Sequence, residues 1–332
     1  MSQKMSRFFD SMWYGQRPVA LLFAPLSWVF GRIVWLRSFM FKKGWLASTR
    51  LNVPVIIVGN ITVGGTGKTP VVIWVAELLK SAGYTPGVIS RGYGGIASSW
   101  PQQVRKDSDS RVVGDEAKIL ARRTGCPVAV GPIRADSAQA LIDHHDCDVI
   151  ISDDGLQHYA LQRDIEIALV DGERRSGNGY LLPAGPLREP VERLKGVDFI
   201  ICNGLANANE YPLKVEGNEA IKLLDESQRC GLESFSATPC HAVAGLGNPA
   251  RFFSHLKKFN ISFKSHIFPD HFKYAEKDIN FNDDNPVLMT EKDAVKCTFM
   301  ANEKHWYVPI KAKMTEKFGL TLLSMMKEKI NG

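Results

Sequence analysis

The feature that most constrains the fold is a glycine-rich run, Gly64-Gly65-Thr66-Gly67-Lys68-Thr69. A short apolar stretch rich in β-branched residues, 53–58, precedes it and predicts a buried strand. The segment 70–82 follows and predicts a helix whose first turn contains a proline, where the missing N–H costs least. This order predicts a phosphate-binding loop. Its residues are Thr62, Val63, Gly64, Gly65, Thr66, Gly67, Lys68 and Thr69.

The predicted loop departs from the usual motif at its first position. That motif begins with a glycine five residues before Gly67, and Thr62 stands there instead. The strand before the loop and the helix after it therefore carry the assignment, against the alternative of a glycine-rich turn with an incidental lysine. In a phosphate loop, Lys68 reaches the β and γ phosphates and the Thr69 hydroxyl suits Mg²⁺.

Apolar runs and helical segments alternate after the loop, which predicts a parallel sheet. The predicted strands are 85–90, 127–131, 147–152, 165–170 and 197–202, and the helices are 116–124 and 135–143. Asp153 and Asp154 follow one of these strands directly. Alone, such a pair is more often a strand-end cap, but beside a phosphate loop its carboxylates indicate a magnesium site.

The length of 332 residues exceeds the usual size of one domain. Residues 205–235 are polar and weakly patterned, so we place a boundary there. The predicted units are an N-terminal segment, 1–45, a phosphate-loop domain, 46–215, and a second unit, 236–332. We thus predict an α/β fold of the P-loop NTPase type, with a mostly parallel sheet flanked by helices, a smaller second α/β domain and an N-terminal membrane-associated helix.

The N-terminal segment is basic and apolar. Acidic residues are absent between Asp10 and Glu77, whereas Arg17, Arg32, Arg37, Lys42, Lys43 and Arg50 all lie there. Pro25 interrupts the apolar stretch 19–41, which predicts a segment too short and too charged to span a bilayer. We expect a peripheral or monotopic interfacial helix on an anionic membrane, with tryptophans at headgroup depth. A helix packed on the protein's own core is the alternative.

Composition excludes several classes of protein. An apolar content of 45% with 23% charged residues excludes a mainly disordered chain. The six cysteines contain no C-x-x-C pair, which argues against a zinc ribbon or redox dithiol and favours a reduced, cytosolic environment. The net charge of +6 falls largely in the apolar N-terminus, which favours a membrane over nucleic acid as the partner.

Missing motifs exclude three classes of phosphate-loop protein. The chain contains no N-K-x-D run for guanine, because Thr290-Glu-Lys-Asp293 resembles it only superficially, and no LSGGQ signature of ABC-type ATPases. Val63 stands where partitioning ATPases carry a lysine. Small-metabolite kinases and unclassified ATPases remain.

Seven motifs in order resemble the tetraacyldisaccharide 4'-kinase family of lipid A synthesis over nearly the whole chain. They are Asn60-Ile-Thr-Val-Gly-Gly-Thr-Gly-Lys-Thr-Pro70, Ser90-Arg-Gly-Tyr-Gly-Gly95, Val113-Gly-Asp-Glu116, Asp153-Asp-Gly-Leu-Gln-His158, Leu182-Pro-Ala-Gly-Pro-Leu-Arg-Glu-Pro190, Phe268-Pro-Asp-His271 and Thr290-Glu-Lys-Asp-Ala-Val-Lys296. Ala117 replaces a frequent proline, and Phe272 stands where another ring is common. Neither departure removes a reactive group.

The resemblance implies an enzyme that uses ATP and Mg²⁺ to phosphorylate the 4'-hydroxyl of a tetraacyldisaccharide 1-phosphate. It also implies a location on the cytoplasmic face of the bacterial inner membrane, where the lipid substrate lies. We expect no nucleic acid partner and no obligatory protein partner. The alternative is a membrane-docked regulatory P-loop ATPase, which would hydrolyse ATP without a lipid acceptor.

The resemblance also implies roles for individual residues. Lys68 and Thr69 would bind ATP and Mg²⁺, and Asp154, with Gln157 and His158, would organise the metal. Asp115 and His271 would activate the sugar hydroxyl. The expected substrate-binding residues are Arg91, Asn178 and Arg188, although surface salt bridges would explain the arginines nearly as well.

Overall fold

The computed structural model describes residues 3–15 and 18–331. Arg17 of the predicted basic group lies outside the described residues. The α-helices, in chain order, are α1 (Gln3–Tyr14), α2 (Ala24–Lys42), α3 (Lys68–Ser81), α4 (Ser110–Val113), α5 (Asp115–Thr124), α6 (Arg134–His145), α7 (Pro249–Lys257), α8 (Glu276–Ile279), α9 (Glu291–Cys297) and α10 (Glu316–Asn331). Short 3₁₀ helices occur at Pro18–Phe23, Val191–Gly196, Leu232–Phe235 and Thr298–Met300.

The strands form two sheets. In chain order they are β1 (Val55–Gly59), β2 (Pro86–Ser90), β3 (Gln102–Val104), β4 (Val128–Val130), β5 (Val149–Asp153), β6 (Ile165–Asp171), β7 (Phe199–Asn203), β8 (Tyr211–Glu216), β9 (Glu219–Lys222), β10 (Arg229–Gly231), β11 (Cys240–Ala244), β12 (Phe263–Ile267), β13 (Val287–Thr290), β14 (His305–Val308) and β15 (Lys311–Lys313).

The first sheet has nine strands in the order β15-β8-β7-β6-β1-β5-β2-β4-β3. Its pairings are parallel except at the two ends, where β3 runs antiparallel to β4 and β15 to β8. β1 lies between β5 and β6, and Val58 pairs with Asp153. The loops after β1 and β5 therefore meet at the carboxyl edge of the sheet, where open α/β sheets bind ligands. The prediction of a mostly parallel α/β fold is confirmed.

Apolar β-branched strands explain the core of this sheet. β1 and β5 are buried along their whole length, because helices cover both faces. On one face, α3 contributes Val71, Val72 and Leu79, all fully buried. Each such side chain contributes about 1.5–3 kcal/mol by leaving water.

The second sheet has six strands in the order β10-β9-β14-β13-β11-β12. Strands β11 to β14 pair in parallel, and β9 and β10 add antiparallel pairs at one side. Two clusters of buried apolar side chains lie on its faces. The six cysteines of the chain are free thiols.

The predicted domain limits differ from the sheets at two places. Residues 219–231, which the prediction left in the boundary, supply β9 and β10 of the second sheet. Conversely, β15 and α10, predicted within the second unit, belong to the first. Phe318 of α10 packs on Trp74 and Tyr211 there. β9 and β10 were not predicted because their apolar pattern is weak. The amphipathic pattern of α10 predicts a helix but does not indicate which of the two sheets it packs on.

The N-terminal helix is longer than predicted. Pro25 lies in the first turn of α2, where it is tolerated, so the helical stretch Pro18–Lys42 has 25 residues. That stretch is long and apolar enough to cross a membrane by length and composition, so the prediction that it is too short is wrong. Within α2 only Ser27 is buried, which disfavours a core helix. One such helix is weak evidence for membrane association.

Candidate active site

The phosphate loop has the backbone that its glycines permit. Gly64 has φ 115° and Gly67 has φ 95°, in the region that residues with side chains rarely adopt. Gly67 is the N-cap of α3, so the helix begins at Lys68 and directs its free N–H groups toward the loop. A Cβ at Gly67 would lie 3.3 Å from Asn203 Nδ2. The geometry is that of an anion cradle at a helix N-terminus.

Thr62, which replaces the usual first glycine, is held inside the loop. The fully buried Asn60 donates from Nδ2 to Thr62 Oγ1 at 3.4 Å and to Thr66 Oγ1 at 3.3 Å. Thr62 is itself buried, so its hydroxyl contacts Asn60 inside the protein and supports the loop there. The backbone N–H of Val63 donates to Pro186 O at 2.8 Å. Asn60 therefore explains how the loop accommodates threonine.

Lys68, Asp154 and Arg188 meet at the carboxyl edge of the sheet. Lys68 Nζ lies 3.5 Å from Asp154 Oδ1, and Arg188 Nη1 donates to Asp154 Oδ2 at 2.9 Å. Burial opposes ionisation of Asp154, but the two cations outweigh it and hold its pKa below the usual range. The carboxylate is thus ionised at neutral pH, beside the loop that would carry phosphate.

Asp153 differs from its neighbour in environment. It is fully buried, and burial, with the negative charges of Glu116 and Asp154, raises its pKa to about 7. Its Oδ1 is buried with no hydrogen-bond partner among the described residues. A buried carboxylate oxygen without a protein partner, next in the chain to the ionised Asp154, fits a ligand of Mg²⁺.

Gln157 and His158 contact protein groups. Gln157 Nε2 donates to Asn60 O at 2.9 Å and to Glu189 Oε2 at 2.8 Å, while its Oε1 lies 3.5 Å from Arg188 Nη1. Its contacts therefore orient the arginine that pairs with Asp154. Burial and the charges of surrounding arginines, first Arg134, lower the pKa of His158 to about 4, so its ring is neutral at pH 7.

Asp115 and His271 meet although the elements that carry them pack on different sheets. Asp115 begins α5, and His271 lies in the loop after β12. His271 Nδ1 is 3.4 Å from Asp115 Oδ2. Asp115 is only 8% exposed, and His271 packs against the Tyr93 ring with centroids 5.3 Å apart. The structure thus brings together the two residues that the family resemblance paired.

The three expected substrate-binding residues have different surroundings. Arg91 directly follows β2 at the carboxyl edge of the first sheet and is exposed. Arg188 pairs with Asp154. Asn178 donates from Nδ2 to Ala184 O at 2.8 Å, and to Met12 O at 3.4 Å, so its amide fastens the loop 178–187 to α1.

Four functional candidates escaped the sequence reasoning, namely Asn60, Arg134, Glu189 and Asn203. Asn203, at the end of β7, donates to Thr66 O at 3.3 Å and accepts from Arg251 Nη2 at 3.2 Å, which connects the second unit to the phosphate loop. The buried Arg134 donates to Asp153 O at 3.0 Å, and the buried Glu189 accepts from Gln157. The available signal for Asn60 and Asn203 was an amide following an apolar strand.

A parallel α/β sheet with a glycine loop, a lysine and paired carboxylates at its carboxyl edge defines a phosphate-loop kinase. The family model described as tetraacyldisaccharide-1-P 4'-kinase matches residues 19–327. This chain belongs to that family. It is therefore an ATP- and Mg²⁺-dependent enzyme that phosphorylates the 4'-hydroxyl of a lipid disaccharide in lipid A biosynthesis, and the alternative of a regulatory ATPase is not favoured.

Individual relatives are similar along their full lengths. The tetraacyldisaccharide 4'-kinase of Nitrosococcus oceani is 49% identical over 316 residues, covering 95% of this chain and 93% of that protein. The Methylobacillus flagellatus enzyme is 47% identical, covering 99% and 100%. The crystal structure of LpxK from Aquifex aeolicus, in complex with ATP, superposes with a TM-score of 0.81 at 26% identity, covering 93% of this chain and 99% of that one.

Proposed function

We propose that Asp115 accepts the proton of the 4'-hydroxyl and that His271 orients Asp115 or relays the proton onward. The observation that carries the proposal is the 3.4 Å contact between them, at the edge of the sheet that bears Lys68 and Asp154. The hydroxyl oxygen forms a bond to the γ-phosphorus, the bond to the β–γ bridging oxygen breaks, and ADP leaves. A positioned base contributes about 10²- to 10⁴-fold to such a transfer.

The phosphate loop and its cations would hold the nucleotide. The glycine-loop N–H groups and Lys68 would bind the β and γ phosphates. Thr69, Asp153 and Asp154 would hold Mg²⁺, which neutralises phosphate charge when bound. Arg188 is oriented by Gln157 and pairs with Asp154. When the nucleotide binds, Arg188 would contact a phosphate oxygen in place of that carboxylate.

The substrate's own phosphate would bind Arg91 at the carboxyl edge of the first sheet. Arg91 is exposed where β2 ends, whereas Arg134 is buried and donates to Asp153 O. Guanidinium groups bind phosphate in a bidentate manner. Asn178 would act indirectly, because its amide is engaged within the loop 178–187.

The chain would work on the cytoplasmic face of the bacterial inner membrane. Two observations support that face: the enzyme needs ATP, which the cytoplasm supplies, and its six cysteines are free thiols, as is usual in a reducing compartment. The exposed apolar side chains of the stretch Pro18–Lys42 would enter the interface, while Arg32, Lys42 and Lys43 meet anionic headgroups. The lipid disaccharide would then lie within reach of the active site.

A lipid kinase assay tests the base assignment. With tetraacyldisaccharide 1-phosphate in mixed detergent micelles, Asp115→Asn should lower kcat by at least about 100-fold. The KM for ATP should change far less, because the base does not contact the nucleotide in this proposal. Asp107→Asn, at an exposed carboxylate, is the matched control. An equal loss of turnover and ATP affinity would contradict the role of Asp115.

A further inference from the structure

The two members of the proposed acid–base pair come from separate sheets, so their contact requires contacts that join the two units. His271 has φ 57°, a conformation that side chains adopt infrequently, and its loop therefore needs support. Asp270 supplies part of it, because its Oδ1 accepts from the His271 backbone N–H at 3.1 Å. Asp270 must itself be held against the first unit for this support to reach Asp115.

Lys292, near the start of α9, contacts a neighbour of each member of the pair. Its Nζ lies 3.1 Å from Asp270 Oδ1 and 3.5 Å from Glu116 Oε1. Asp270 precedes His271 in the chain, and Glu116 follows Asp115. A single ammonium group therefore fastens both sides of the Asp115–His271 contact.

The surroundings of Lys292 favour a fixed rather than a mobile cation. Its side chain is 16% exposed, against 42% for Glu116 and 44% for Asp270. Burial opposes its charge, but Glu116 and Asp270 outweigh burial and raise its pKa. Without it, the carboxylates of Glu116 and Asp270 would lose the ammonium group that they share, and only the more distant charge of Lys296 would remain to offset Asp270 beside His271.

We infer that Lys292 is a positioning residue that bridges Glu116 and Asp270 and thereby holds Asp115 and His271 in contact for phosphoryl transfer. The inference rests on the proposed role of that pair. Lys292 touches neither the nucleotide loop nor the paired aspartates of the magnesium site in the described contacts. Its loss should therefore affect turnover rather than nucleotide binding.

The test compares two ion pairs between the same two helices. Arg123 of α5 pairs with Glu291 of α9 at 2.8 Å, away from His271, and provides the matched control. In full-length enzyme, Lys292→Met should lower kcat about 10- to 100-fold while the KM for ATP stays within about threefold. Lys292→Arg should recover most of kcat, and Arg123→Met should retain it even if the midpoint of thermal unfolding falls.

Two results would overturn the inference. One is a Lys292→Met enzyme with unchanged kcat, and the other is an equal kcat loss in Lys292→Met and Arg123→Met, which would indicate general docking of the two units. If Lys292→Met fails to fold, Glu116→Gln and Asp270→Asn replace it. Their losses in kcat should be less than additive in the double variant, and strict additivity would reject the bridge. Full activity of Asp115→Asn would instead reject the proposed base itself.

Discussion

The folded protein disfavours the ionised form of Asp153. Its side chain is fully buried, and burial and two neighbouring carboxylates raise its pKa from the ordinary 3.8 to about 7. A group whose pKa is raised by folding stabilises the fold while protonated, below its unfolded pKa. That contribution is lost as the pH rises from about 4 to about 7. The carboxyl group therefore destabilises the ligand-free protein at neutral pH and suits it to a cation.

Replacing Asp153 by asparagine should separate stability from activity. The midpoint of thermal unfolding of Asp153→Asn, without nucleotide, should exceed that of the parent protein at pH 8 by about 2 °C or more, because the buried charge is removed. The difference should shrink toward pH 4, where both side chains are neutral. Calorimetry at a series of pH values measures the effect.

The same variant should lose its response to magnesium. Mg²⁺ with a non-hydrolysable ATP analogue should raise the unfolding midpoint of the parent protein more than that of Asp153→Asn. Asp107→Asn, at an exposed carboxylate, should match the parent in both measurements. A pH-independent difference between Asp153→Asn and the parent would show that Asp153 titrates normally.

Among elements, the stretch Pro18–Lys42 exposes more large apolar side chains than a soluble surface usually tolerates. Leu22 is 79% exposed, Trp28 64% and Trp35 57%. Other side chains of the stretch contact loops of the first unit, where Ser27 Oγ donates to Leu181 O at 2.7 Å and Arg37 donates to Gln157 O at 2.9 Å. The helix therefore connects an apolar outer face to the loops of the active site.

Polar substitution on this face should release the protein from membranes. Changing Leu22, Ile33 and Leu36 together to serine should move most of the protein from the sedimented to the soluble fraction with anionic vesicles, since each loses about 1.5–3 kcal/mol of apolar transfer. Serine at Leu205, Phe299 and Leu320, which are 85%, 79% and 63% exposed elsewhere, provides the control. Equal release by both triple variants would reject a specific membrane-binding face.

The sequence predicted those elements whose apolar pattern fits only one type of secondary structure. The strands β1 and β5 are continuous buried runs, and the glycine loop fixes what lies between β1 and α3. The contact of Asp115 with His271 came from resemblance rather than pattern, because some 150 residues separate them. The role of Lys292 could not be predicted, since an ammonium group gains such a role only from neighbours that the fold supplies.

At the scale of the whole molecule, the chain crosses between its two units twice. It leaves the first sheet after β8 and returns through β15, and these two strands pair antiparallel. α10 then packs on the first unit. Phe318 is fully buried there, with its ring 5.3 Å from that of Phe199 and 5.0 Å from that of Tyr211. The C-terminal helix thus closes the core of the phosphate-loop unit.

This arrangement predicts which unit weakens when the helix is altered. Phe318→Ala should lower the free energy of unfolding of the first unit by about 3–5 kcal/mol, the usual cost of removing a buried aromatic ring. Native-state hydrogen exchange should show faster exchange in β7 and β8, while amides of β11 and β13 keep their protection. Leu320→Ala, on the same helix but 63% exposed, should change the free energy by less than about 0.5 kcal/mol.

The outcome decides between the two divisions of the chain. If α10 belonged to the second unit, as its place in the sequence suggests, Phe318→Ala would weaken β11 and β13 first and leave β7 protected. Loss of protection in β7 and β8 alone would mean that the last helix stabilises the nucleotide-binding core from the far end of the chain. Removal of residues 316–332 should then destabilise the phosphate loop more than the loop that carries His271.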